Sequence, residues 1–91
     1  MSYKIRFTAQ ATDDVLLLKK TNPVAYVKLQ KLLLEIQEHP YSGTGKPKRM
    51  KYDYSECYSR RITLQHRIVY KVYEETVEIL ILSASGHYKD K

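Results

Sequence analysis

Polar and apolar positions along the chain change their period near the middle, from helical spacing to strict alternation. Before the first helical stretch, residues 3–7 alternate, which predicts a short strand with one buried face. Thr8 follows as a cap residue, and apolar side chains then recur at helical spacing over residues 9–20, with lysines at the end of the segment. We therefore expect a strand followed by a helix.

A second helix is predicted after Asn22 and Pro23, a cap residue followed by proline at the first helical position. The stripe that it would present to a sheet consists of Ala25, Leu29, Leu32, Leu33 and Ile36. The helix should end near His39, and residues 41–47, with two glycines, are typical of a loop. The two helices form a predicted αα-hairpin.

Beyond the loop the period is two, and the candidate strands cover residues 48–52, 58–63, 66–73 and 76–85. Short connections predict an antiparallel meander for the last three strands. The order β-α-α-β-β-β-β indicates an α+β fold, with the αα-hairpin packed on one face of a small, mostly antiparallel twisted sheet. The 91 residues suit a single domain over positions 1–91.

Charge gives the first indication of a partner. Sixteen Lys and Arg against ten Asp and Glu give a net charge of +6, and the excess lies between residues 46 and 71. Such a balance favours an anionic partner, although surface solubility alone would also explain it.

Other classes of site are disfavoured by the sequence. Cys57 is the single cysteine, and the three histidines have no ligand-like partner at helical spacing, so neither a disulfide nor a metal site is expected, and no cofactor is predicted. No nucleophile-elbow or phosphate-binding glycine motif is present. The lack of an apolar leader or spanning segment, with one cysteine, predicts a cytoplasmic protein.

The positive region interleaves cations with tyrosines, and its members are Lys48, Arg49, Lys51, Tyr52, Tyr54, Tyr58, Arg60, Arg61, Arg67, Tyr70, Lys71 and Tyr73. Cations neutralise phosphates and tyrosines stack on unpaired bases, a combination typical of single-stranded RNA binding. The same tyrosines could equally be strand formers on a half-buried sheet. Alternation predicts that at least two arginines lie on the sheet face that the helices leave uncovered.

An imidazole and a phenol, those of His87 and Tyr88, follow the last predicted strand. Neighbouring strand ends would bring them beside Arg67. RNA cleaves itself when its 2′-hydroxyl loses a proton, the phosphorane is stabilised and the 5′-oxygen is protonated, so an acid, a base and a cation suffice. Taken alone, such a pair is equally typical of a surface tail.

Four segments together resemble a known family. They are Gly43-Thr-Gly-Lys-Pro47, Tyr58-Ser-Arg-Arg-Ile-Thr63, His66-Arg-Ile-Val-Tyr70 and Gly86-His-Tyr88. In this order they resemble the YoeB/Txe branch of the RelE superfamily, the toxins of bacterial type II toxin–antitoxin systems.

The resemblance implies a RelE-like fold and an endoribonuclease that cuts mRNA in the ribosomal A site, leaves a 2′,3′-cyclic phosphate and inhibits translation. By position, Arg67 would stabilise the transition-state phosphate, His87 would protonate the leaving 5′-oxygen and Tyr88 would orient the substrate. The cations expected to contact RNA are Lys46, Lys51, Arg60 and Arg61. A cognate antitoxin with an acidic, partly disordered segment is implied, as is a homodimer or a toxin–antitoxin hetero-oligomer.

Lys48 departs from the family pattern, which usually has a glutamate general base there. Lysine at its reference pKa of about 10.4 is almost wholly protonated. Three explanations stay open: a neutral Lys48 amine acts as base, Lys48 only stabilises phosphate while His87 or His66 is the base, or activity is strongly reduced. The competing hypothesis is a catalytically weak module that binds RNA, the ribosome or an antitoxin.

Overall fold

Two helices and five strands make up the described part of the chain, residues 2–45, 47–50 and 56–85 of a computed structural model. In chain order they are β1 (Lys4–Phe7), α1 (Ala9–Thr21), α2 (Pro23–Glu38), β2 (Lys48–Arg49), β3 (Cys57–Arg61), β4 (Arg67–Tyr73) and β5 (Glu78–Ser83). This order confirms the predicted β-α-α-β-β-β-β arrangement.

A single residue, Asn22, separates the two helices. Its backbone N–H donates to Leu18 and closes α1, while its side chain accepts from the Ala25 N–H at 3.2 Å and opens α2. Pro23 supports the break, because its ring disfavours helical geometry in the preceding residue. The helices thus form the expected αα-hairpin.

The core lies between this hairpin and one face of the sheet. The predicted stripe of α2 is buried at Ala25, Leu29, Leu32 and Ile36, with Leu33 packed at its margin. From the sheet, the inward side chains of β4 and β5 meet it, among them Ile68, Tyr70, Ile79 and Ile81. Burial of these apolar surfaces is the main stabilising contribution to the fold.

The sheet has the spatial order β1-β5-β4-β3-β2. Neighbouring strands from β5 to β2 are antiparallel, which confirms the meander, whereas β1 joins the far edge parallel to β5. A register shift lies between Val69 and Tyr70 where β4 pairs with β5. The sheet is therefore mostly antiparallel, as expected.

The strands differ from their predicted bounds, and two turns account for part of the difference. The Thr63 hydroxyl accepts the N–H groups of Gln65 and His66, so the turn after β3 begins at residue 62. Val77 has a φ of 55°, which extends the next turn through residue 77. Strand β2 covers two residues of the predicted 48–52 segment, and residues 51–55 lie outside the described part.

Neither described helix combines the length and the hydropathy needed to cross a membrane.

Candidate functional site

Three cations share one end of the sheet face that lies opposite the helices, here called the open face. Arg61 and Arg67 are direct cross-strand partners, and Lys48 pairs with Ser59, two residues before Arg61 on β3. Paired residues point to the same side of a sheet, and Tyr58 and Arg60 alternate with them toward the helices. The pleat thus brings Lys48, Arg61 and Arg67 to one surface.

Strand geometry gives the spacing of these cations. Directly opposite side chains have Cβ atoms about 5 Å apart, so Arg61 and Arg67 lie side by side. Lys48 is one strand and two residues away, which puts its Cα about 8 Å from that of Arg61. Like charges placed opposite each other destabilise a sheet. A phosphate between the two guanidinium groups would convert that repulsion into two attractions.

Two cations toward the other end of the open face have carboxylate partners. Lys71 Nζ lies 3.7 Å from Glu56 Oε1, and Arg6 Nη1 lies 3.7 Å from Glu78 Oε1. Within the described residues no such ion pair is formed by Arg61, Arg67 or Lys48. Arg61 and Arg67 therefore place two adjacent positive charges, without a carboxylate partner among the described residues, at one end of the open face.

The segment that leads to His87 is anchored beside Arg67. The Arg67 N–H donates to the Ser85 carbonyl at 3.2 Å, and the Ala84 N–H donates to the Asp14 carboxylate at 3.0 Å. Asp14 belongs to α1, so this hydrogen bond joins the helix to the end of the last strand. The contact with Asp14 holds Ala84 in place, one residue before the Ser85 carbonyl that accepts from Arg67.

Arg60 differs from the prediction that it joins the RNA-binding cations. Its side chain points toward the helices and is 1% exposed. The guanidinium group donates to Glu35, Tyr70 and three loop carbonyls, so all five of its N–H donors have partners. In this position Arg60 cannot reach a phosphate on the open face, and its contacts are structural.

Two of the tyrosines also lie inside. Tyr70 is 0% exposed, and its ring stacks on Tyr58 with centroids 6.1 Å apart. Tyr58 in turn meets the edge of Tyr41 at 5.1 Å. Of the described tyrosines in the predicted set, Tyr73 is the exposed one, with the Lys71 ammonium 5.2 Å from its ring centroid. The strand-former interpretation therefore holds for Tyr58 and Tyr70.

His66 is engaged in the turn between β3 and β4. Thr63 Oγ1 accepts two backbone N–H groups and lies 2.9 Å from His66 Nδ1. The Thr63 hydroxyl and His66 Nδ1 are therefore hydrogen-bond partners within this turn.

Cys57 is buried on the same strand as Arg61, and its environment opposes nucleophilic chemistry. Burial raises the pKa of the thiol, while the nearby Lys71 lowers it by a smaller amount. Because the thiolate is the reactive form, a raised pKa makes Cys57 a poor nucleophile. In residues 2–45, 47–50 and 56–85, His, Cys, Asp and Glu side chains form no group of three suited to a metal ion.

The remaining predicted site residues are Lys46, Lys51, His87 and Tyr88, and they lie outside the described residues. Their roles stay predictions. The site that the structure describes consists of Lys48, Arg61 and Arg67, together with the anchored segment at residues 84 and 85.

Comparison with known proteins places this geometry in a family. Residues 7–88 match the model of the YoeB-like toxins of bacterial type II toxin–antitoxin systems. Toxin YoeB of Escherichia coli K12 is 33% identical over 85 residues, which cover 93% of this chain and 99% of that protein.

Two solved structures from Staphylococcus aureus extend the likeness to the fold. The YoeB dimer has a TM-score of 0.84 and 32% identity, and the heterotetrameric YoeB–YefM toxin–antitoxin complex has a TM-score of 0.82 and 32% identity. Each match covers 97% of this chain and 100% of the other. With the sequence match over nearly its whole length and the same α+β architecture, the chain belongs to the YoeB family of type II toxin–antitoxin toxins.

Proposed function

We propose that this toxin is a ribosome-dependent endoribonuclease that cleaves mRNA in the A site and thereby inhibits translation. The observation that carries the proposal is the direct opposition of Arg61 and Arg67 on the open face, with Lys48 nearby on the same surface. A concentrated set of cations at fixed positions is suited to hold a scissile phosphate and to stabilise the charge that develops on it. Residues 84 and 85, which precede Gly86-His87-Tyr88 in the sequence, are anchored beside Arg67 and Asp14.

The chemistry needs no metal. The ribose 2′-hydroxyl gives its proton to a general base, and its oxygen attacks the adjacent phosphorus. The bond from phosphorus to the 5′-oxygen breaks, and a general acid gives that oxygen a proton. The products are a 2′,3′-cyclic phosphate and a 5′-hydroxyl. We assign Arg67 to the phosphorane, His87 to protonation of the 5′-oxygen and Tyr88 to substrate orientation. Arg61, Lys51 and Lys46 contact backbone phosphates.

For Lys48 we favour phosphate stabilisation over the general-base role. Its exposed position on β2 keeps the side chain in solvent on the cationic side of the sheet. The occupied Nδ1 of His66 argues against that residue as the base, which leaves His87 as the group that exchanges protons with the substrate. Lys48→Glu tests this assignment, because it restores a carboxylate at the position where the family usually has one.

The partners proposed for this chain follow from its relatives and its charge. The Staphylococcus aureus YoeB forms a dimer and a heterotetramer with YefM. We propose that this toxin is bacterial and cytoplasmic, dimerises or assembles with a cognate antitoxin, and is neutralised by an acidic antitoxin segment on the cationic end of the open face. Ribosomal RNA would be its second polyanionic partner.

The decisive experiment is primer-extension mapping of a defined mRNA on programmed 70S ribosomes with purified protein. We expect a cut within the A-site codon from the wild type and none from His87→Ala. Ribosome binding is measured in parallel by cosedimentation. Wild-type protein that binds ribosomes but makes no cut would refute the nuclease activity and support a binding module. The lysine at position 48, in place of a general-base carboxylate, would then explain the missing activity.

A further inference from the structure

The loop between α2 and β2 is built around one buried side chain. Arg60 Nη2 donates to the carbonyls of His39 and Ser42, and Nη1 donates to the carbonyl of Thr44 at 3.2 Å. The loop therefore wraps its backbone, and not its side chains, around the guanidinium group. Every residue has a backbone carbonyl, so these hydrogen bonds constrain the path of the loop without requiring particular side chains at most of its positions.

Glu35 completes this arrangement from the last turns of α2. One carboxylate oxygen lies 3.0 Å from Arg60 Nη1 and accepts the Thr44 N–H at 2.9 Å, and the other accepts the Thr44 hydroxyl at 3.2 Å. Tyr70 links the same group to the sheet, because its hydroxyl accepts from Arg60 Nε and donates to the Pro40 carbonyl. A single charged network thus joins helix, loop and sheet.

The loop passes directly into the strand that bears Lys48. The Gly45 carbonyl accepts the Arg61 N–H at 2.9 Å, and three residues further on, at Lys48, β2 begins to pair with β3. A Cβ atom on Gly45 would lie 2.9 Å from the Arg61 carbonyl, which shows how closely the loop approaches β3. The path of residues 39–45 therefore constrains where β2 begins, and with it the position of Lys48 relative to Arg61.

We propose that Arg60 and Glu35 are positioning residues, which set the place of Lys48 relative to Arg61 and so act on the reaction through the loop. The inference rests on the proposed nuclease function and adds a buried determinant to it. A purely structural network would change stability and leave the geometry of the surviving folded molecules unchanged. A positioning network would change the edge of the site in molecules that remain folded.

The first test needs no activity. Native-state amide exchange by NMR is measured for the Arg61 N–H, which Glu35 does not touch but which reports the docking of Gly45. In Glu35→Gln we expect this amide to exchange about 10-fold faster, while the Ile68 amide in the centre of the sheet keeps its rate. Glu38→Gln removes the same charge from the end of α2 and serves as the matched control. Unchanged Arg61 protection in Glu35→Gln would overturn the proposal.

The second test is a double-mutant cycle between Glu35→Gln and Lys48→Ala, read out as single-turnover mRNA cleavage on programmed ribosomes. Glu35→Gln should lower the rate about 10-fold when Lys48 is present and less than about 2-fold when it is absent. Equal losses in both backgrounds would show that the network does not act through Lys48. If the wild type makes no cut, the proposed function fails, and exchange at Arg61 still decides whether the network docks the loop.

Discussion

Arg60 and Arg61 are neighbours on β3 and have the same side chain, yet they lie in opposite environments. Arg60 points toward the helices, is 1% exposed and has a partner for every N–H group, whereas Arg61 is exposed beside Arg67. The cause is the pleat of the strand, which turns successive residues to opposite faces. The comparison shows that a cluster of basic residues in a sequence contains two kinds of cation, and that only one kind is available to a ligand.

The largest effect is expected when the internal cation is removed. Arg60→Met leaves the Glu35 carboxylate and the loop carbonyls without their donor, and breaking a buried charge pair costs about 3–5 kcal/mol. Arg61→Met, at an exposed site, should change the free energy of unfolding by less than about 0.5 kcal/mol. Urea denaturation of the two variants measures the difference, and similar midpoints would contradict the contrast between the two arginines.

The cleavage rate should depend more strongly on the arginines of the open face than on the buried Arg60. In the proposed reaction Arg67 donates to the developing phosphate charge, so Arg67→Ala should lower the cleavage rate about 10²- to 10³-fold. Lys71→Ala is the control, because Lys71 is four residues along the same strand and is already paired with Glu56. Its rate should stay within a few-fold of the wild type in the ribosome assay. An equal loss in both variants would mean that total charge, and not the Arg61–Arg67 pair, drives the reaction.

Gly45→Ala probes the docking of the loop that surrounds Arg60. Gly45 has a φ of 85°, where a side chain costs about 1–2 kcal/mol, and the added Cβ would press on the Arg61 carbonyl. We expect a loss of about 2 kcal/mol in the free energy of unfolding by urea titration. Ser42→Ala is the control, since Arg60 uses only its carbonyl, and an equally destabilised control would place the effect elsewhere.

The smallest expected effect is the change with pH in the contribution of Tyr70 to the free energy of unfolding. Burial raises the pKa of Tyr70 above its ordinary value, against a smaller lowering by the Arg60 hydrogen bond. The unfolded tyrosine ionises above about pH 10 while the folded one keeps its proton, so the stability that Tyr70 contributes is present below this pH and declines above it. Tyr70→Phe should cost about 1–3 kcal/mol near neutral pH, because Arg60 and Pro40 each lose a partner.

Urea titrations of wild type and Tyr70→Phe at pH 7 and above pH 10 measure this trend. The difference between the two proteins should narrow as the pH rises. Tyr73→Phe changes an exposed ring at the end of β4 and should show no comparable difference. If the difference in unfolding free energy between wild type and Tyr70→Phe widens above pH 10, the folded protein favours the ionised Tyr70.

The sequence predicted the elements better than their contacts. Apolar spacing located both helices, and the Asn22-Pro23 pair marked the break between them, because these signals are local. The parallel pairing of β1 with β5 was not foreseen, since it joins segments more than 70 residues apart. Glu35 and Asp14 gave no signal of their own, because a carboxylate on a helix looks the same in sequence whether it meets solvent or a distant backbone.

The sequence by itself therefore determined the order of elements, the apolar faces, the positive stretch and the motifs that identify the family. The tertiary structure decided which cation is exposed on the open face and which is an internal support. That decision requires the pairing of β3 with both of its neighbours, which places Arg61 opposite Arg67 and turns Arg60 toward Glu35. Charge is a property of each residue, whereas exposure and partnership arise only when the sheet is assembled and its pleat assigns each side chain a face.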